Sequence, residues 1–338
     1  MNESTRTWMP WYVQPHANGE ILLGDMSAAL LAHGNVVGVR GHRMALQLVK
    51  HGSIAQHSGQ VADGTAANTF PMLLHSNSAS GVSILLRRAR ELSASTTALT
   101  LISRDDVRIP NDAGSRAWRE ILEASQRAGT RSPIWYVQNV AHAERGVRPF
   151  PIGVAQPNEL AAFLERAGGL EGRVAQRDTL LVCGFMQLGL QSRQRAVSTL
   201  KRNGFECESA RDADTALAHE VAGGALSGPR LRAWQYYSAL TRAKFVLSPE
   251  GYGRDCFRTW EALALGAIPV LRVVPNASAI DAAKFAGLPM VWVRRWKEVT
   301  RPMLMQRWQS LSANPQRFSV SRAFFPHWLA ELLGRGQP

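Results

Sequence analysis

The segment FVLSPEGYGRDCFRTWEALALGAIPV, residues 245–270 of this 338-residue chain, brings together side chains that could hold an anion. Its first residues predict a buried strand ending at Ser248-Pro249, and Gly251, Tyr252, Gly253 and Arg254 follow. Asp255 stands where a helix N-cap belongs, with Thr259 and Trp260 already inside the helix. In open α/β sheets, ligands bind beyond the carboxyl ends of the strands, where loops meet helix starts. Free backbone N–H groups and the helix dipole favour phosphate there. Gly251 and Gly253 let the backbone approach closely, and Arg254 and Arg258 flank the same turn. A guanidinium suits phosphate because its planar fork donates two bonds at once. With Ser248 at the strand end, the group reads as a diphosphate cradle.

Glu261 follows Arg258 by three residues on the predicted helix, yet Trp260, Ala262, Leu263 and Leu265 around it are apolar. A buried carboxylate needs a partner, and a ribose diol offers two hydroxyl donors. The alternative is a helix ion pair with Arg258, worth about 0.2–0.5 kcal/mol. Arg193, near the start of an upstream helix, could add charge to the cradle or merely decorate a solvated face.

Alternating strands and helices must position these residues, which argues α/β throughout. Strands are predicted at Asn35 to Val39, Ala98 to Ile102, Pro133 to Val137, Thr179 to Phe185, Lys244 to Leu247 and Ile268 to Val274. Helices are predicted over Gly81 to Leu92, Ala113 to Ala128, Gln191 to Lys201, Leu231 to Ala243 and Asp255 to Leu265, with Asn203-Gly204 ending the third. The last strand–helix–strand trio is a βαβ unit, so its strands should be parallel. Residues 52–80, rich in Gly, Ser, Ala and Asn, are expected to form a long irregular loop. A linker is expected near residues 155–177, and Arg322 to Leu333 reads as an amphipathic helix.

Hydrophobic residues at 45% and charged residues at 19% describe a globular chain, and no run approaches a membrane span. No basic stretch followed by an apolar run opens the chain, so no secretory signal is expected. Three scattered cysteines, Cys183, Cys207 and Cys256, fit neither a disulfide framework nor a zinc site. They predict a reducing, cytoplasmic setting. The net charge of +13 would attract polyanions, an anionic membrane face or a nucleoside diphosphate. A nucleic-acid binder should interleave basic and aromatic residues along a surface. Here the glycines, arginines and Glu261 converge on one junction, which disfavours nucleic acid. A divalent metal finds no support, since no Asp-x-Asp triplet follows a strand.

The run SPEGYGRDCFRTWEALALGAIPV resembles the C-terminal signature of exostosin-like glycosyltransferases, whose usual form is close to SP-x-G-N-G-x-D-C-H-R-T-W-E-A-L-x-L-G-x-I-P. WYVQNVAHAERGVRPFPIGVAQP, residues 135–157, is similar to a segment of that family in which a Gln-Asn pair precedes a His and a Pro-Ile-Gly turn. LLVCGFMQLGLQSRQRAV, residues 180–197, is similar to the family's strand leading into an arginine-bearing helix. Tyr252 and Phe257 depart from the pattern, standing where the family often has Asn and His.

The resemblance implies a GT-B fold: two Rossmann-like domains facing a cleft. Residues 1–160 would form the acceptor side, 175–320 the nucleotide-sugar side, and 321–338 a C-terminal helix. It implies transfer of a sugar from a nucleotide-sugar to a hydroxyl of a glycan or glycoconjugate, with inversion. The nucleotide-sugar is then a substrate, and no cofactor is required. Ser248, Gly251, Gly253, Arg254, Arg258, Glu261 and Arg193 would bind the donor. An inverting enzyme also needs a base. Asp105, Asp106 and His142 follow predicted strands of the N-terminal half and are the candidates, each with a turn or loop role as the alternative. A non-catalytic nucleotide- or polyanion-binding protein on the same fold is the competing reading, motivated by Phe257.

Overall fold

The computed structural model describes residues 45–50, 53–56, 72–76, 79–93, 99–103, 112–140, 142–167, 177–208, 212–222, 227–273, 283–313 and 317–318. They fall into two compact units: residues 45–152 with 283–284, and residues 153–273 with 285–318.

The first unit is built on a six-stranded sheet in the order β2-β1-β3-β4-β5-β6. Its strands are β1 (Ala45–Lys50), β2 (Ser53–Gln56), β3 (Met72–Ser76), β4 (Leu99–Ser103), β5 (Ile134–Val137) and β6 (Val147–Pro149). Only the β1–β2 hairpin is antiparallel; the other pairings are parallel, with Leu101 of β4 in register with Trp135 of β5. Helices α1 (Ala79–Leu92) and α2 (Asp112–Arg127) connect β3 to β4 and β4 to β5. Val82, Leu85, Leu86 and Ala89 recur at helical spacing and are buried, as are Trp118 and Ile121 of α2. These side chains close over Leu101, Trp135 and Val137. Trp118 and Trp135 meet with ring centroids 5.5 Å apart, and the Trp118 indole N–H donates to Arg145 O at 2.7 Å. Gly146 is required where this indole presses on the chain. Its φ is +74°, and a Cβ there would stand 3.1 Å from Pro133 O and 3.2 Å from the Trp118 ring.

The second unit carries a four-stranded, all-parallel sheet in the order β10-β9-β8-β7. The strands are β7 (Thr179–Val182), β8 (Ala243–Leu247), β9 (Ile268–Arg272) and β10 (Val291–Val293). Its helices are α3 (Pro157–Arg166), α4 (Gln191–Arg202), α5 (Asp212–Ala222), α6 (Gly228–Arg242), α7 (Phe257–Ala264) and α8 (Arg301–Ala313). Phe245, Val246, Leu247, Ile268 and Val270 are fully buried, as an all-parallel sheet covered on both faces demands. Trp308 of α8 meets Phe245 edge-on at 6.0 Å, and Phe163 of α3 meets Trp234 of α6 edge-on at 5.5 Å. The expected β8–α7–β9 unit is parallel, with Val246 opposite Pro269. Gly204, at φ +81°, ends α4 as the Asn203-Gly204 pair predicted.

Four expectations change. Residues 52–80, read as irregular, contain β2, β3 and the start of α1; ladder pairing with β1 and β4 overrides the weak local propensity of Ser, Ala and Gly. Helix α5 was not anticipated, although Asp212 and Asp214 in its first turn suit a helix start. Helix α7 is capped by Cys256 rather than Asp255, because the Asp255 carboxylate is drawn inward to the Trp260 indole N–H at 2.7 Å. Finally, Cys183 and Cys207 form a disulfide, with Cα atoms 4.8 Å apart at a sequence separation of 24. Helix α4 runs out and back between them, a proximity that sequence spacing could not reveal. Closing a loop of that length stabilises by about 3 kcal/mol on the chain-entropy account. The sequence argument for a reducing compartment, which required unpaired thiols, does not survive this pairing. The strand expected at Asn35 to Val39 and the helix at Arg322 to Leu333 lie outside the described residues. Among the described residues no helix is long and apolar enough to cross a membrane.

Candidate functional site

Because β7 and β8 are parallel neighbours, the loops leaving their carboxyl ends lie side by side, residues 183–190 entering α4 and residues 248–256 entering α7. The loops are tied across. Ser192 Oγ donates to Glu250 O at 3.2 Å, and Arg193 Nη2 sits 2.8 Å from where a Cβ on Gly251 would stand. A side chain on Gly251 would displace that guanidinium. The turn itself is closed by the Gly251 N–H donating to Gly253 O at 3.0 Å. Neither helix start has a side-chain cap at its N-cap residue, Leu190 for α4 and Cys256 for α7. Both leave backbone donors at the carboxyl edge of the sheet.

Arg258, in the first turn of α7, reaches back to the β7 loop. It donates to Gly184 O at 3.0 Å and to Phe185 O, and its guanidinium lies over the Tyr236 ring at 5.0 Å from the centroid. Phe185 is the one non-glycine among the described residues with positive φ, 55°. An L-residue held there costs about 1–2 kcal/mol. Its carbonyl meets Arg258 and its ring meets Tyr236, with centroids 5.7 Å apart. The disulfide residue Cys183 anchors the same loop one residue before Gly184.

Glu261 is buried one turn deeper in α7. Its carboxylate accepts from the Ala155 N–H at 3.2 Å and the Tyr236 hydroxyl at 3.0 Å. Burial pushes its pKa above the usual carboxylate range, against the two hydrogen bonds and the nearby Arg258 charge, which pull it down. Burial also raises the Tyr236 hydroxyl well above its ordinary value. The bonds of Glu261 thus leave its own helix, unlike the simple i,i+3 pair weighed from sequence.

The remaining donor-side residues divide by direction. The Ser248 hydroxyl is buried against Thr259 Oγ1 at 2.8 Å and Cys256 Sγ at 3.1 Å, so it staples the strand end to the helix. Gly253 is buried, and Arg254 is half-buried with Nε and Nη1 inside. Arg193 is held by Gln187 O at 3.4 Å. Among the candidate bases, Asp105 and Asp106 lie outside the described residues. His142 is half-exposed in the first unit, its Nε2 3.1 Å from Ser115 Oγ and 3.4 Å from the Glu144 carboxylate. The structure thus brings Ser248, Gly251, Gly253, Arg254, Arg258, Glu261 and Arg193 to one sheet edge. Sequence reading missed Tyr236, Phe185 and Ala155. A signal existed for Tyr236, since Trp234 and Tyr237 share a core-facing stripe three residues apart while Tyr236 falls off it.

A parallel α/β sheet with paired arginine-bearing helix starts at its carboxyl edge is the geometry of a phosphate- or nucleotide-binding domain. Comparisons sharpen this class. Residues 227–330 match the family described as RXYLT1 C-terminal domain, and that stretch includes α6, the glycine loop and α7. The chain is 25% identical over 180 residues to ribitol-5-phosphate xylosyltransferase 1 of Danio rerio, covering 50% of this chain and 38% of that protein. It is 28% identical over 108 residues to the protein of the same name from Mus musculus, covering 29% of this chain and 24% of that one. The matches span well under two thirds of these relatives. They support a glycosyltransferase family in general and not the exostosin-like one in particular.

Proposed function

We propose that the chain is a glycosyltransferase of GT-B type, moving a pentosyl group from a nucleotide-sugar to a hydroxyl of a glycan or glycoconjugate, with inversion. The names of its relatives favour xylose as the group and a ribitol-5-phosphate acceptor. The observation that carries the reading is the pairing of Arg193 and Arg258 at two helix starts on the carboxyl edge of β7 and β8. Arg193, Arg254 and Arg258 would stabilise the departing diphosphate, charge that develops as the glycosidic bond breaks. Gly251 and Gly253 would admit it to backbone N–H groups, Ser248 would hold the loop, and Glu261 would meet the ribose. The nucleotide-sugar is a substrate, and we propose no resident metal or other cofactor.

On the acceptor side the base is proposed among Asp105, Asp106 and His142. His142 suits that role, because with Nε2 carrying its proton toward Glu144, Nδ1 holds the lone pair a base needs. His142→Asn should then cut transfer about 10²–10⁴-fold while donor binding is unchanged. The proposed domain division places donor binding in residues 175–320 and the acceptor against residues 1–160.

The test is a thermal-shift and calorimetric titration with uridine and guanosine diphosphate, repeated with Arg258→Lys, because a ligand of the folded state raises its melting temperature by mass action. Binding to neither nucleotide, or equal affinity in both proteins, defeats the reading. Phe257, at the first position of α7, favours one rival, a non-catalytic nucleotide- or polyanion-binding protein. Nucleotide binding without transfer or hydrolysis would select it. Contact with an anionic membrane is proposed from the +13 charge, and a cytoplasmic setting is proposed beside it. Thiol titration of the unfolded, unreduced protein tests that setting: three free cysteines support it, whereas one confirms the Cys183–Cys207 disulfide and counts against it.

A further inference from the structure

The glycine turn carries one large side chain that packing does not explain. Tyr252 stands at its tip, because the Gly251 N–H to Gly253 O bond closes the chain across that residue. It is 80% exposed. Among the described residues the other exposed large apolar side chains are Leu188 at 46% and Met305 at 43%. Leu188 lies in the β7 loop, which Ser192 and Arg193 tie to the Tyr252 turn. Two of these three side chains therefore sit on two tethered loops beside one anion cradle. An aromatic ring left in water forgoes the stabilisation of burial, and its place on the glycine turn beside the cradle leaves its face open to a bound ligand.

We propose that Tyr252 is the platform on which the sugar moiety of the donor rests, with Leu188 as a second apolar wall, making Tyr252 a specificity-determining residue. The inference deepens the proposed function and rests on it. A nucleotide-sugar is a linear molecule in which the diphosphate separates nucleoside from sugar. Along the chain, Glu261 lies one turn inside α7, Arg258 in its first turn, and the Gly251–Gly253 turn before it. With the ribose at Glu261 and the diphosphate at the helix start, the sugar falls on the Tyr252 side. Sugar rings present a face of C–H groups that packs on an aromatic ring while their hydroxyls stay at the edge. Tyrosine matches both needs with an apolar face and a polar tip. The exostosin-like pattern has Asn at this position, so an aromatic platform would be a property of this chain.

The experiment is calorimetry on the full chain with whichever of uridine or guanosine diphosphate binds more tightly, and with its xylose conjugate. Tyr252→Ala should weaken the conjugate by about three- to tenfold relative to the nucleoside diphosphate, the range of a lost aromatic contact. Tyr252→Phe should keep the wild-type ratio, and neither change should move the melting temperature, since the side chain lies in solvent. An unchanged ratio in Tyr252→Ala overturns the platform. Equal loss for both ligands also overturns it, because the ring then stacks on the nucleoside. Failure of the wild type to bind either nucleotide is a different result and overturns the proposed function with it.

Discussion

The two edges of the four-stranded sheet each carry an arginine that donates to backbone carbonyls, and the two serve opposite ends. At the amino edge Arg177 is buried, donating to Leu240 O at 3.1 Å, Leu265 O at 2.7 Å and Ala243 O. It ties the end of α6, the start of β8 and the residue after α7 into one knot, to which Lys244 adds a bond to Arg177 O. At the carboxyl edge Arg258 bonds two carbonyls of one loop and stacks on a tyrosine, half open to solvent. The same guanidinium chemistry yields a lock where the acceptors come from α6, β8 and the residue that closes α7. It ties a loop to a helix start where the acceptors are Gly184 and Phe185, the latter held at positive φ. The separation of a stabilising amino edge from the carboxyl edge proposed for binding follows from strand direction, since all four strands run the same way.

The contrast breaks most visibly at Arg177. Arg177→Met removes a donor from three buried carbonyls, of which Leu240 O keeps the Ala243 N–H, at about 1–3 kcal/mol for each group left unsatisfied. A melting temperature lower by roughly 5–10 °C or more is expected. A fall of a degree or two would mean that the knot is decorative. Arg258→Ala should lose less stability than Arg177→Met and more nucleoside-diphosphate affinity, on the order of 10–100-fold for a charge-assisted contact. Calorimetry and thermal denaturation of both variants give the comparison, and the reverse ranking would erase the functional difference between the edges.

Glu261 sharpens the same contrast through pH. Its folded-state pKa is raised by burial above the ordinary 4.5, so the stability it contributes is fully present below that value. That contribution is lost as pH rises through the raised folded value. Glu261→Gln cannot titrate, so the wild-type advantage in melting temperature over this variant should narrow as pH climbs through the window above 4.5. A constant difference across pH would show that burial does not hold this carboxyl high. The smallest effect is expected for Gly251→Ala. Its Cβ would stand 2.8 Å from Arg193 Nη2, the far end of a flexible side chain that can swing away. Stability should change by no more than about 0.5 kcal/mol. Diphosphate affinity should drop several-fold, and an unaltered titration would remove Arg193 from the cradle.

Much of this unit was legible in advance where local pattern and tertiary demand agree. The run from Phe245 to Val270 combines an apolar strand, a glycine turn and helical spacing, and the structure realises it with only the N-cap moved from Asp255 to Cys256. The first unit was less legible because β1 and β3 pair in parallel with strands well removed in sequence, while β2 is held only by its hairpin onto β1. Tyr236 and Ala155, which hold Glu261, lie 25 and 106 residues away from it.

The sequence by itself determined the chemistry available at the carboxyl edge: arginines, glycines and a carboxylate at spacings that place them on one turn and one helix. Those are short-range properties, set by a helical period and by the freedom of glycine. Tertiary structure decided which of these groups are drawn to partners within the protein. It turned the Ser248 hydroxyl inward, bent Asp255 to Trp260, stacked Arg258 on Tyr236 and joined Cys183 to Cys207. Each of those outcomes needs a partner supplied by another element, and partner distances arise only when the strands have paired and the helices have packed.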